Sequence, residues 1–166
     1  MVSWVDLAPT ILDYVGVMPE EHRFQGQSFA SVIRGESQQA NEIIYASHTF
    51  HEITMYYPMR VIHNGKYKLI VNLADGLEYP FASDLYVSKT WQSVVNGKLD
   101  KLGQKDVDAF LHRPRFELYD IENDPWEGVN LAIDPQYSEI LNGMVEQMKT
   151  FQEKTGDPWS YKWTYE

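Results

Sequence analysis

The chain has 166 residues, 43% of them apolar and 14% aromatic, enough for one domain with an ordinary buried core and incompatible with disorder throughout. Its 14 basic and 24 acidic residues leave a net charge of -10, a surface field that repels polyanions and makes nucleic acid a poor partner. The absence of cysteine excludes disulfides and thiolate metal sites, and no apolar run approaches the roughly 18 residues of a membrane span.

Between residues 3 and 15, Trp4, Leu7, Ile11, Leu12 and Val15 recur at helical spacing. Pro9 suits a first turn, so the helix is expected to start near Asp6 to Ala8, with Ser3 or Asp6 as N-cap and Gly16 as the stop. Met18 to Gln27 reads as loop, Ser28 to Ile33 as a short helical turn ended by Gly35, and Glu36 to Asn41 as a polar linker. That linker divides the chain into residues 1–36, the tail of one domain, and residues 42–166, the body of the next. Met1-Val2-Ser3-Trp4 lacks the basic segment of a signal peptide, so any export signal is expected upstream of it.

Glu42 to Thr49, Met59 to His63 and Tyr67 to Asn72 read as strands, the last two joined by the hairpin signal Asn64-Gly65. Tyr67, Leu69 and Val71 alternating with Lys66, Lys68 and Ile70 predict one buried face and one partly wetted face. Leu73 to Ser83 is an expected loop, and Asp84 to Val95 a short helix ended by Asn96-Gly97. In the charged stretch Lys98 to His112, Val107, Phe110 and Leu111 fit another helix. Phe116 to Ile121 is a further strand. Asp134-Pro135 opens the longest helix, whose apolar stripe runs Tyr137, Ile140, Leu141, Met144, Met148, Phe151, and Gly156 closes it. The aromatic tail from Asp157-Pro158-Trp159 is expected to lie back over the sheet or on a neighbour. The expected fold class is α+β: an antiparallel β-sheet with a long C-terminal helix packed on it.

The residues richest in chemistry are His48, His51, Glu52 and Arg60, in the run from Ser47 to Arg60 broken by Pro58. In an extended strand His51 and Glu52 point to opposite faces, so both reach one pocket only if the chain bends there. His51 can donate to an anionic or hydroxyl group and Glu52 can accept from hydroxyl or ammonium groups. The same residues also read as a solvated strand end, and Arg60 as a structural partner for a carboxylate across the sheet. No metal site is expected. The histidines do not follow zinc-helix spacing, and in Asp120-Ile121-Glu122-Asn123-Asp124 Pro125 stands where an EF-hand requires glycine. Asp124-Pro125-Trp126-Glu127 with Asn130-Leu131 reads as a turn whose side chains bond nearby backbone.

Asp6-Leu7-Ala8-Pro9-Thr10-Ile11-Leu12-Asp13, Gly26-Gln27-Ser28-Phe29, His51-Glu52-Ile53-Thr54-Met55 and Tyr57-Pro58-Met59-Arg60 together resemble the C-terminal part of a sulfatase. Asp84-Leu85-Tyr86-Val87-Ser88, Glu117-Leu118-Tyr119-Asp120 and Asp157-Pro158-Trp159 are similar to the sulfamidase branch, the heparan N-sulfatases. The resemblance implies that residues 1–36 contribute a late helix of the alkaline-phosphatase-like N-terminal large domain, and that residues 42–166 form the sulfatase C-terminal domain. It further implies a hydrolase acting on N-sulfate or related sulfate groups of glycosaminoglycan sugars, in a periplasmic, secreted or lysosomal setting. The formylglycine nucleophile and calcium ion of such enzymes are expected in the full-length enzyme and not in this stretch. There is no cysteine and no Ser-x-Pro-x-Arg, so no catalytic or metal residue is assigned here. His51, Glu52 and His48 are the expected substrate-binding rim. The implied partners are the N-terminal sulfatase domain, a sulfated sugar and a second copy of the chain, without nucleic acid or membrane. A non-catalytic packing or dimerisation module and a stand-alone carbohydrate-binding domain are the alternative readings.

Overall fold

The computed structural model describes residues 1–19, 24–38, 40–52 and 55–165. Glu20 to Arg23 of the expected loop, Gln39 of the linker and the Ile53-Thr54 step of the strand-end run lie outside the described residues. The chain divides into two compact units, Met1–Tyr45 with His63–Gly65, and Ala46–Ile62 with Lys66–Glu166.

In the first unit a 3-10 turn at Trp4–Asp6 leads into helix α1 (Leu7–Tyr14), and helix α2 (Ala30–Ile33) follows. The periodicity located α1, but the face it buries is polar. Asp6, only 2% exposed, accepts from Ser3 N at 2.8 Å, Gln27 N at 3.0 Å and Asn41 Nδ2 at 2.7 Å. Buried Thr10 donates to Asp6 O at 2.6 Å and accepts from Phe29 N at 3.0 Å. The chain passes so close at Gly26 that a Cβ there would meet Val5 O at 2.1 Å, so only glycine lets Gln27 reach Asp6. The apolar side chains of Trp4, Leu7, Ile11, Tyr14 and Val15 are left exposed.

In the sheet, strands β1 (Ile44–Phe50), β2 (Tyr56–His63), β3 (Tyr67–Asn72) and β6 (Phe116–Asp120) lie in the order β1-β2-β3-β6, antiparallel as expected. β6 is numbered after a two-stranded hairpin, β4 (Lys101–Leu102) and β5 (Lys105–Asp106). β3 and β6 register as Tyr67↔Asp120, Leu69↔Leu118 and Val71↔Phe116 on one face, and Lys68↔Tyr119 and Ile70↔Glu117 on the other. The first face receives the long helix α6 (Ser138–Thr155), which buries Met144, Val145 and Met148. A fully buried side chain of this size contributes about 2 kcal/mol.

On the other face of β3 Lys66 is exposed and Lys68 half-buried, as the partly wetted reading predicts, but Ile70 and Asn72 are buried, because a second layer covers that end. That layer is aromatic: Tyr79 meets Tyr57 edge-on at 5.1 Å and Phe110 at 5.5 Å, and Trp91 packs on Phe81 at 4.3 Å. Phe110 lies on helix α5 (Val107–Leu111), the helix expected there. The single helix expected over Asp84 to Val95 is two, α3 (Ser83–Val87) and α4 (Lys89–Val95). Ser88 divides them by turning extended and accepting from Trp91 N at 3.1 Å as the N-cap of α4.

The longest helix also starts later than expected. Asp134 caps a 3-10 turn at Pro135–Tyr137, and α6 proper begins at Ser138. Its buried line runs Met144, Val145, Met148, Gln152, so a glutamine replaces Phe151 at the inward position. Gly156 closes it in the left-handed region at φ 64°. The tail then folds back over the sheet. Trp163 stacks on Phe116 at 6.3 Å and donates to Gln152 Oε1 at 2.6 Å, and Arg115 donates to Lys162 O at 2.8 Å. Asp157 receives Arg60 Nε at 2.5 Å and Nη2 at 2.8 Å, with Gln152 Nε2 at 3.0 Å and Trp159 N at 2.9 Å. The carboxylate that Arg60 pairs with therefore comes from the tail and not from across the sheet.

Breaking this pair strands a buried charge, so Arg60→Ala is expected to cost about 3 to 5 kcal/mol in urea unfolding followed by tryptophan fluorescence. Burial opposes ionisation of Asp157, but the hydrogen bonds of Arg60, Trp159 and Gln152 and the Arg60 charge outweigh it and hold the carboxyl at about 2 instead of 3.8. Its folded pKa is depressed, so its contribution of roughly 2 kcal/mol is complete above about pH 4 and lost as pH falls through about 2. Asp157→Asn is expected to flatten that acid limb; an unchanged acid limb would contradict the assignment.

Candidate functional site

β1 ends at Phe50, and His51 and Glu52 occupy a bend directly after it, both exposed. Met55 N donates to Glu52 O at 2.9 Å. The bend that would free both side chains from strand alternation is therefore present. His48 stays in the strand and is half-buried. Its backbone is fixed by Arg60, whose Nη1 donates to His48 O at 3.2 Å and Met59 O at 2.8 Å. Burial, and then electrostatic repulsion involving His51 and Arg113, hold His48 below the ordinary histidine value. His48, His51 and Arg113 thus share one electrostatic neighbourhood.

Arg113 sits in the segment leading into β6, and Asn72 holds the two residues after it: Nδ2 donates to Pro114 O at 2.7 Å and N to Arg115 O at 2.9 Å. Its guanidinium lies 4.2 Å over the Tyr79 ring and 5.6 Å from Phe110. Beneath it, buried Glu117 accepts from Tyr119 Oη at 2.6 Å and Asn72 Nδ2 at 2.9 Å, with Lys105 Nζ at 3.4 Å and Arg113 Nη1 at 3.6 Å. Burial alone would raise the Glu117 pKa; the hydrogen bonds of Tyr119 and Asn72 and the Arg113 and Lys105 charges outweigh it and keep the group below its usual value. Tyr119 is pushed far up by burial and by its bond to Glu117, and burial raises Tyr57 to about 12. Lys105, Glu117 and Tyr119 line a cleft of about 190 Å³.

His51 and Glu52 adjoin in the bend and His48 lies three residues back in β1. Arg113, whose charge acts on His48, is a residue that the sequence reading passed over. The cluster of Lys105, Glu117 and Tyr119 was also missed. Its signal was the alternation of Glu117 and Tyr119 around Leu118, which puts two polar side chains on one strand face. The acidic run from Asp120 to Asp124 serves its own turn: Asp120 accepts from Asn123 Nδ2 at 2.8 Å and Asp124 from Val129 N at 2.9 Å. Among the described residues no three His, Asp or Glu side chains converge as a metal site requires.

Comparison with known proteins decides the family. The family described as N-sulphoglucosamine sulphohydrolase, C-terminal, matches residues 1–90. The chain belongs to that family. The sulfatase C-terminal part is 34% identical over 95% of its length to human N-sulphoglucosamine sulphohydrolase, of which it covers 33%. It is 28% identical over 95% of its length to an ulvan-active sulfatase of Formosa agariphila, of which it covers 30%. It therefore spans about a third of the length of these curated relatives. A solved 2-O GAG sulfatase shares the fold, with a TM-score of 0.63 at 22% identity over 93% of this chain and 25% of that one.

The buried carboxylate gives this region its own test. Tyr119→Phe removes the short bond to Glu117 and is expected to cost about 1 to 3 kcal/mol of stability. It should also raise the Glu117 titration, followed by carboxyl carbon NMR. An unmoved Glu117 would show that the other donors suffice.

Proposed function

We propose that this chain is the C-terminal portion of a sulfatase that hydrolyses N-sulfate or related sulfate groups of glycosaminoglycan sugars, and that it supplies pocket rim and scaffold. In this reading residues 1–36 end the N-terminal large domain, residues 42–166 form the small domain, and His51, Glu52 and His48 line the rim. The observation that carries it is the bend after β1. It exposes His51 and Glu52 on a turn whose base is held by the buried Arg60. The human relative's name adds the substrate class. Such a turn orients a sugar: imidazole N–H groups donate to its anionic or hydroxyl oxygens, and the carboxylate accepts from its hydroxyl or ammonium groups.

The chemical step belongs elsewhere in the full-length enzyme. This chain has neither cysteine nor Ser-x-Pro-x-Arg from which a formylglycine would form. Among its described residues no three His, Asp or Glu side chains converge to hold a calcium ion. In the full-length enzyme, His51→Ala and Glu52→Gln are expected to raise KM about tenfold each with kcat changed less than about twofold, the signature of lost binding common to ground and transition states. Unchanged KM in both would make the turn structural.

A second reading, a packing or dimerisation surface, is favoured by α1. Trp4 is 87% exposed, Ile11 53% and Tyr14 61%, on a helix whose inward side is polar. An apolar stripe of this kind is built to be covered. The isolated chain is expected to self-associate in light scattering, and Trp4→Ser with Ile11→Ser to return it to monomer. A wild-type chain that stays monomeric at high concentration would remove this reading.

A further inference from the structure

The returning tail crosses the base of the turn after β1 and places an aromatic ring there. Asp157 takes the guanidinium of Arg60, and Trp159 lies against the same guanidinium, its ring centre 5.4 Å from Cζ. The Trp159 backbone N donates to Asp157 Oδ1 at 2.9 Å, and the indole Nε1 donates to Tyr56 Oη at 3.0 Å. The ring is thus held on one face, at its edge and at its backbone. Both arms of the turn share in this hold. Tyr56 opens β2 one residue after Met55, whose N bonds Glu52 O, and Arg60 grips the His48 carbonyl in β1.

This is not the setting of a core ring. Tyr56 is 39% exposed, Trp159 is half-buried, and the bond between them is open to solvent. Phe50, which ends β1 on the other arm of the turn, is 54% exposed. A half-buried indole gains only part of the stabilisation of a core position, yet its orientation is locked. Such a ring offers broad contact area and loses little entropy when a ligand stacks on it. Charge at the wall is closed as well: Arg60 spends its donors on both oxygens of Asp157 and on two backbone carbonyls. The ring therefore presents apolar area without a free ion beside it, and suits a neutral surface rather than a sulfate.

We propose that Trp159, oriented by Tyr56 and Arg60, is a wall on which a pyranose ring of the substrate stacks, and so is a specificity-determining residue of the rim. A pyranose has a face of C–H groups and a girdle of hydroxyls. A flat aromatic panel at the base of a turn that carries the donors of His51 and the acceptors of Glu52 matches that division. The wall recognises the ring and leaves the sulfate to the rest of the enzyme. This inference rests on the reading of the turn after β1 as a substrate rim.

Competitive inhibition of the full-length enzyme tests it, with free glucosamine, the sugar in the human relative's name, as the ring probe and sodium sulfate as the anion probe at matched ionic strength. Trp159→Leu is expected to weaken inhibition by glucosamine about tenfold and Trp159→Phe, which keeps a flat ring, less than about threefold, with sulfate inhibition changed less than about twofold in both. Tyr56→Phe frees the indole N–H and keeps both rings; it should weaken glucosamine inhibition severalfold and guards against loss of fold in the leucine variant. Several results would overturn the proposal: no inhibition of the wild-type enzyme by glucosamine, unchanged inhibition in every folded variant, or equal loss in Trp159→Phe and Trp159→Leu. Glucosamine and sulfate inhibition weakened alike, as when Trp159 only packs against another domain, would overturn it too. Weakened glucosamine inhibition in Trp159→Leu with unchanged KM in His51→Ala and Glu52→Gln would reject the role of the turn alone; raised KM in those two with glucosamine inhibition intact in Trp159→Leu would reject the Trp159 wall alone.

Discussion

The pairing of Arg60 with Asp157 sets the arrangement of everything around it. Removing both charges from water costs several kcal/mol per ion, and only near-ideal geometry offsets that cost. Here both carboxylate oxygens are engaged, Gln152 and Trp159 complete the anion, and the remaining guanidinium donors hold the His48 and Met59 carbonyls. One ion pair thus joins β2, the end of β1, the last turn of α6 and the tail. The partners are 97 residues apart in sequence. The position of His48 is consequently fixed by a residue close to the C-terminal end of the chain.

Arg113 is the informative contrast. It is nearly as enclosed as Arg60, yet its Nε has no acceptor and its ion pair is long. A fold selected for stability alone would bond such a group or replace it with an apolar one, since an unpaired buried polar group is costly. The scaffold around it has the opposite character. Tyr79 and Phe110 shape the slot, Asn72 fixes the backbone, and Glu117 is satisfied mainly by other donors.

What the sequence disclosed follows from what period and punctuation report. Strand alternation, Asn64-Gly65 and the α6 stripe with Gly156 are local signals; they located the four strands and the end of the long helix, though not its first turn, which is 3-10. The missed features depend on contacts between distant segments. Periodicity placed α1 correctly but carried no sign for which face turns inward, and the hydrogen bonds of Asp6 and Thr10 to Gln27, Phe29 and Asn41 settled it as the polar one. The second layer on β3 comes from Tyr79, Trp91 and Phe110, whose convergence no window of neighbouring residues reveals. Gln152 reads as a surface residue until Asp157 and Trp163 bond it from the returning tail. His48, His51 and Glu52 were visible as chemistry; the hold of Arg60 on the His48 carbonyl was not, because it is made across neighbouring strands.

The chain's net charge of -10 sits uneasily with an anionic substrate only if charge is averaged over the surface. At close range, burial and local pairing matter more than the sum, because exposed charges beyond about 10 Å are screened by salt whereas enclosed ones are not. Many of the acids that make the total negative are spent locally: Asp6 on three hydrogen bonds, Asp120 and Asp124 on their turn, Asp157 on Arg60. Local pairing of this kind is why a net charge read from composition does not by itself fix the potential at any one point of the surface.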